Sequence, residues 1–144
     1  MELAMNKKIA ILGLMLLLTA CGEPKNTTTA NSEKSSSIGT LQLNDGSKLQ
    51  YNGKLLYTTD KKTDTGVSRI NKIAINSGSK LAENLIFGQL SKLGYTRAVM
   101  SSSSDNFKVH YYKTGQSTIG MIYKETMANN ILSTNILMYW QTKQ

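Results

Sequence analysis

Few side chains in this sequence could take part in chemistry, because its 144 residues include a single cysteine and a single histidine. A metal ion or a catalytic proton transfer needs several such groups brought together. His110 has no second histidine to act with, so the sequence predicts no metal site and no cofactor. We interpret His110 as a surface or half-buried strand residue on the face opposite Phe107 and Val109. The lone thiol of Cys21 excludes an internal disulfide.

Three short motifs carry serine and lysine at spacings used for acyl transfer: Ser77-Gly-Ser-Lys80, Ser104-Asp105-Asn106 and Lys113-Thr114-Gly115. In this order they resemble the S-x-x-K, S-D-N and K-T-G signature of penicillin-binding proteins and serine β-lactamases. The resemblance implies Ser77 as the acylated nucleophile and Lys80 as its activator. However, Asn106 and Lys113 flank a predicted strand, which would hold them roughly 23 Å apart. We therefore predict no catalytic residues and no enzyme activity from these motifs.

A fourth motif, Asp64-Thr65-Gly66, is similar to the catalytic triplet of aspartic proteases. In that family the triplet follows apolar strand residues, whereas the polar run Lys61-Lys62-Thr63 precedes it here. We predict a solvated loop at these residues, without a catalytic role.

The N-terminal segment has the order of a secretory signal. Lys7 and Lys8 precede an apolar run that ends at Leu18, and small residues follow it. A run of about 12 residues spans roughly 18 Å as a helix, against a hydrocarbon core of about 30 Å. The segment is therefore too short to cross a bilayer comfortably and is typical of a signal peptide.

The end of that segment, Leu18-Thr19-Ala20-Cys21, resembles the lipobox of bacterial lipoproteins. The resemblance implies that the Cys21 sulfur receives a diacylglyceryl group and that the signal peptide, residues 1–20, is cut before Cys21. The new N-terminus would then commonly carry a fatty acid such as palmitate. Because Gly22 and not aspartate follows Cys21, the family's sorting rule favours the outer membrane, facing the periplasm, if the organism is Gram-negative. The alternatives are an ordinary signal peptide with a chance cysteine, or a short anchor helix.

A polar stretch separates this segment from the rest of the chain. Residues 22–37 contain no large apolar side chain, and such a segment cannot bury enough surface to offset its ordering entropy. We predict that residues 21–37 form the lipidated cysteine and a flexible tether. A tether of 16 residues has a root-mean-square span of roughly 22 Å and a stretched length of about 55 Å.

Apolar periodicity from residue 38 onwards predicts one domain, residues 38–144, of the α+β class. Asp45-Gly46 and Asn52-Gly53 indicate hairpin turns in an N-terminal meander, and residues 60–66 a polar loop. Leucines and Ile86 at helical spacing predict one amphipathic helix over residues 79–93, capped by Ser77 or Ser79 and ended by Gly94. Alternating patterns predict further strands, the last four forming hairpins, over residues 70–75, 95–101, 107–113, 117–125 and 131–141. The predicted fold is a small antiparallel sheet with that helix packed on it.

The charge of the chain limits the possible partners. Seventeen basic and nine acidic residues give a net charge of +8. Removal of residues 1–20 leaves 15 basic and eight acidic residues, or +7. With only two arginines, and an export signal, we predict no nucleic-acid binding. The charge instead favours anionic lipid headgroups, cell-wall polymer or an acidic envelope protein.

These observations lead to two functional hypotheses. The first is a membrane-anchored cell-envelope lipoprotein that acts as a non-catalytic accessory or binding module. The alternative is a periplasmic inhibitor or immunity lipoprotein that neutralises an enzyme or toxin. The predicted partners are the membrane, through the lipid on Cys21, and an envelope protein or anionic surface. The sequence leaves the oligomeric state open.

Overall fold

The computed structural model of this protein describes residues 37–103 and 106–142. The predicted signal peptide, the cleavage residues Leu18, Thr19 and Ala20, the lipidated Cys21 and the tether up to residue 36 lie outside the described residues. So do Ser104 and Asp105. The elements are β1 Ile38–Gln42, β2 Lys48–Thr63, β3 Gly66–Ile75, α1 Ser79–Lys92, β4 Thr96–Ser103, β5 Asn106–Tyr112, β6 Ile119–Ala128 and β7 Ile131–Thr142.

The prediction of the α+β class was wrong, because the described chain is dominated by one antiparallel sheet. Strands make up 65% of it and helix only 13%. The seven strands lie in the order β1-β2-β3-β7-β6-β5-β4. The difference is largest at residues 52–66, for which the sequence predicts a turn and a polar loop. Those residues instead form most of β2, since β3 supplies an antiparallel partner for their backbone groups from Gly53 to Thr63.

The remaining elements agree with the sequence patterns, although the helix differs in detail. The turn at Asp45-Gly46 is present, and Gly94 adopts a left-handed conformation with φ of 87° directly after α1. Neither Ser77 nor Ser79 caps the helix through its side chain. Instead the backbone N–H of Ser79 donates to the Glu125 carboxylate on β6 at 2.6 Å.

The helix buries only part of the apolar face predicted from the sequence, because Ile86 and Leu90 are buried but two of the leucines are not. Leu81 and Leu85 are 56% and 58% exposed. The residues of α1 that face the sheet are Ala82, Glu83, Ile86 and Leu90.

Strand β2 bends so that its two halves belong to different ladders. Its first residues pair with β1, and from Gly53 onwards it pairs with β3. The Asp45 carboxylate, in the β1–β2 turn, lies 2.7 Å from the Lys113 ammonium at the end of β5. Because β1 and β5 are far apart in the strand order, this contact requires the β1–β2 hairpin to fold across one face of the sheet. The same face carries α1.

The hydrophobic core lies between that face of the sheet and the layer formed by α1 and the β1–β2 hairpin. Alternate residues of β3, β5, β6 and β7 point into it, as expected for a sheet with one covered face. The hairpin contributes two leucines from β1 and its turn, and a leucine and a tyrosine from β2. The fully buried core side chains include Leu49, Ile73, Ile86, Leu90, Val109, Tyr111, Ile119, Met121, Tyr123, Ile136 and Met138.

The bend of β2 generates a stability prediction. A Cβ on Gly53 would lie 2.1 Å from the backbone oxygen of Ala74, which cannot move away without breaking the β2–β3 ladder. We expect Gly53→Ala to destabilise the fold by about 1–3 kcal/mol or more. The matched control is Gly88→Ala in α1, where a Cβ would meet no atom within 4 Å. This variant should stabilise the fold by about 0.5–1 kcal/mol. Urea unfolding midpoints measure both changes, and an unchanged midpoint for Gly53→Ala would contradict the close approach.

Candidate functional site

The sheet face turned away from α1 is the candidate functional site, and we call it the open face. Neither α1 nor the β1–β2 hairpin covers it in the part of the chain that the structure describes. Side chains alternate between the two faces along each strand, so the open face takes the residues between the buried ones. On β2, β3, β7, β6 and β5 these include Lys54, Tyr57, Lys61, Ile70, Lys72, Ala74, Asn135, Leu137, Tyr139, Gly120, Ile122, Lys124, Lys108, His110 and Tyr112.

The centre of the open face is apolar, with lysines on either side. Leu137 and Ile122 are neighbours across β7 and β6, with Lys72 beyond one of them and Lys108 beyond the other. All four side chains are half-buried. A groove of about 410 Å³ runs over this centre and is lined by Leu137, Ile122 and Lys72, together with Tyr57 and Lys124. An aliphatic floor with cationic ammonium groups at its border is a surface that can hold an anionic ligand.

The open face carries five lysines and, among the described residues, no carboxylate. The lysines are Lys54, Lys61, Lys72, Lys108 and Lys124. The described carboxylates lie elsewhere. Three of them form salt bridges off this face: Asp45 with Lys113, Asp60 with Arg69, and Glu83 with Arg97. Glu125 binds the start of α1, and Asp64 lies in the β2–β3 turn. Strand alternation and ion pairing together leave a uniformly positive surface.

His110 lies half-buried on the open face, between two tyrosines. Its Nδ1 is 3.3 Å from the hydroxyl of Tyr112, and its Nε2 is 3.3 Å from the hydroxyl of Tyr139. The ring of Tyr139 reaches His110 because Gly120 lies between them, where a Cβ would be 2.2 Å from the tyrosine Cζ. Burial, and secondarily the charge of Lys108, lower the pKa of His110. The neutral imidazole therefore positions two tyrosines and adds no charge to the face at neutral pH.

Among the described residues, Lys113 of the third serine and lysine motif is not brought to the residues of the other two. The Lys80 ammonium lies 3.6 Å from the ring centroid of Phe107 at the start of β5, whereas Lys113 follows the end of that strand and binds Asp45. The Ser77 hydroxyl lies 3.5 Å from the backbone oxygen of Gly78. In the triplet Asp64-Thr65-Gly66, the first two residues form the tight turn between β2 and β3 and Gly66 begins β3, in place of the longer loop predicted for it.

A buried polar cluster under α1 was not predicted from the sequence. Glu83 is 3% exposed and accepts hydrogen bonds from Arg97, at 2.6 and 2.8 Å, and from the Tyr111 hydroxyl at 3.1 Å. The hydroxyls of Tyr111 and Tyr123 lie 2.9 Å apart. Burial raises the pKa of both tyrosines, so both stay protonated. Because its polar groups bind one another, this cluster positions α1 on the sheet, and no sequence motif signals it.

The described residues were also compared with the requirements of a metal site and of a membrane-spanning helix. Within residues 37–103 and 106–142, no three side chains of the histidine, cysteine, aspartate and glutamate types come together as metal ligands. No α-helix in these ranges has the length and apolar character needed to cross a membrane.

Comparison of the chain with protein-family models, with curated proteins and with solved structures gave no significant match.

The surroundings of His110 generate a prediction on its pKa. We expect it to titrate below the ordinary imidazole pKa of about 6.5, and Lys108→Gln to raise the value without restoring it, because burial is the larger cause. The unfolded chain binds this proton more readily than the folded protein does. The free energy of unfolding should therefore fall as the pH is lowered from about 6.5 to the pKa of His110 in the folded protein. NMR of the single imidazole ring gives the pKa directly. Lys48→Gln, on the outer side of the hairpin, should leave it unchanged, and an equal effect of both variants would contradict the assignment.

Proposed function

We propose that this protein is a membrane-tethered, non-catalytic binding module of the cell envelope and that the open face binds an acidic partner. The observation that carries the proposal is the set of five lysines, without a described carboxylate among them, around a half-buried apolar centre.

The electrostatics of the open face favour an anionic ligand. Lys72 and Lys108 lie three strand spacings apart, roughly 14 Å, and Lys124 lies on the strand next to that of Lys108. Like charges on one face raise the free energy of the folded state, and an acidic partner relieves this repulsion. The half-buried Leu137 and Ile122 add apolar area that a partner can cover. A border of charge around an apolar centre is the usual anatomy of a protein interface.

The lipid anchor predicted at Cys21 gives this face its place of action. Two acyl chains hold a protein stably at a membrane where one does not. A short tether then confines the domain near that membrane and raises the effective concentration of the open face for a partner located there. A surface of modest affinity is therefore sufficient for the proposed role.

One observation favours the second candidate function, an inhibitor or immunity lipoprotein. The β6–β7 hairpin turns through Asn129 and Asn130, both with positive φ, and exposes apolar side chains near its tip. Met127 is 70% exposed and Ile131 is 49% exposed. Such a hairpin could enter the active site of a target enzyme. In that case a stoichiometric complex with one secreted enzyme would be lost in Met127→Ser/Ile131→Ser and retained in open-face variants.

The anchor is tested by Cys21→Ser. Without the thiol there is no atom to form the thioether, so we expect the protein to move from the membrane fraction to the soluble or culture fraction. Cell fractionation followed by immunoblotting measures the distribution. The control Gly22→Ser introduces the same hydroxyl next to an intact Cys21 and should remain with the membranes. An unchanged distribution of Cys21→Ser would refute the lipoprotein prediction.

The binding surface is tested by photo-crosslinking in cells. A benzoylphenylalanine at position 57 replaces a tyrosine that is 45% exposed and lines the open-face groove. We expect an adduct that disappears in the Lys108→Gln/Lys124→Gln background, because these lysines provide the charge attraction. The control Lys48→Gln/Lys92→Gln removes the same charge from exposed positions on the hairpin and α1, and should keep the adduct. Equal yields in both backgrounds would contradict the proposal.

A further inference from the structure

We infer that the partner of the open face is a bilayer surface of anionic phospholipid headgroups, namely the membrane in which the predicted anchor of this chain is held. The inference rests on the proposed function and names its ligand class. It is carried by the place where the chain enters the domain, by the type of charge on the open face and by the shape of that face.

The chain enters the domain at the border of the open face. Ser37 binds Gly53 twice: its backbone oxygen accepts from the Gly53 N–H at 3.0 Å, and its hydroxyl donates to the Gly53 oxygen at 3.2 Å. A depression of about 350 Å³ is lined by Ser37 together with Lys54 and Ala74 of the open face. The predicted tether therefore starts beside these open-face residues. The predicted tether of 16 residues, with an expected span of roughly 22 Å, would let the open face rest on the membrane that holds Cys21.

The charges of the open face suit phosphate groups spread over a plane. All five are lysines, whose ammonium groups act as point charges without a required geometry. Both arginines, which favour shaped and bidentate partners, are paired off this face with Asp60 and Glu83. The lysines lie on β2 and β3 and on β6 and β5, with only β7 between the two pairs of strands, so they can meet the same anionic layer simultaneously. Tyr57 and Tyr112 are exposed on the same face, and tyrosine is enriched at the level of lipid headgroups.

The shape of the open face favours a bilayer over an acidic protein. Its groove above Leu137 and Ile122 is lined only by side chains of adjacent strands, without a loop or helix that would enclose a single anchoring side chain. Each basic side chain near an anionic bilayer strengthens attachment about five-fold. Several lysines acting together therefore give substantial attachment without any shaped contact. Because the interaction is electrostatic, salt at about 1 M shortens the screening length to about 3 Å and should release the face.

The test maps lysine accessibility on the lipidated protein purified from membranes. The protein is reconstituted through its own acyl chains into vesicles of phosphatidylcholine alone, or of phosphatidylcholine with phosphatidylglycerol. Lysines are then labelled with an amine-reactive reagent and quantified by peptide mass spectrometry. We expect Lys72, Lys108 and Lys124 to lose reactivity only on the anionic vesicles, and to regain it at high salt. Lys48 and Lys92 should react equally on both vesicles.

Matched variants separate the effect of the open-face lysines from the effect of the overall charge of the domain. Lys54→Gln/Lys61→Gln removes two charges from the open face and should restore reactivity of the remaining open-face lysines on anionic vesicles. Lys48→Gln/Lys92→Gln removes the same charge elsewhere and should leave their protection intact. Circular dichroism checks that both variants are folded.

Lysine reactivity on vesicles and in intact cells distinguishes failure of this inference from failure of the proposed function. Open-face lysines that react equally on both kinds of vesicle would overturn the inference. If the same lysines are nevertheless protected in intact cells, an acidic envelope protein or polymer is the partner and the proposed function survives. If they react freely in cells as well, the proposed function fails with the inference. Release of the wild-type protein from membranes by salt alone would refute the anchor instead.

Discussion

The close approach of two backbones at Gly53 determines how the rest of this protein is arranged. Because Gly53 has no side chain, β2 can pass against the Ala74 carbonyl and turn from one ladder into the other. The turn carries the β1–β2 hairpin across the sheet, where it shares one face with α1. A sheet of this size has two faces, and both covering elements are used on the same one. The exposure of the lysine-rich face is thus a consequence of a bend at its margin.

The covered face is held in register by polar contacts within an otherwise apolar core. Glu83 on α1 binds Arg97 on β4 and Tyr111 on β5, and so ties the helix to the far strands of the sheet. A buried carboxylate is tolerated only when its oxygens are bonded, and here Arg97 and Tyr111 together donate three hydrogen bonds to it. This pairing also removes an acid and an arginine from the surface charge. The same interactions that orient the helix therefore increase the difference in charge between the two faces of the sheet.

Elements whose stabilising contacts are local could be predicted from the sequence, and those that depend on distant partners could not. The helix and the C-terminal strands follow from apolar spacing, and the opposite orientation of His110 and Val109 follows from strand alternation. Asn52-Gly53 indicated a turn, but the pairing of β2 with β3 overrides that local preference. The cluster of lysines on the open face could not be predicted from the sequence either. Lys54, Lys72 and Lys108 are scattered along the chain. The first two lie on paired strands, and Lys108 shares their face only because β7 and β6 join β3 to β5.

The contact between Ser79 and Glu125 has a consequence for how the chain folds. The helix is the most local element in the sequence, yet its first turn takes a hydrogen-bond acceptor from a residue 46 positions later. That bond lowers the pKa of Glu125, so the ionised carboxylate is the form that completes the helix. Nascent helix can form early, but its N-terminal end is fixed only after β6 has joined the sheet. Five of the six strand pairings join strands that follow each other in the chain, so the β3–β7 pairing is the one that must close a long loop, and we expect it to limit the rate at which the sheet forms.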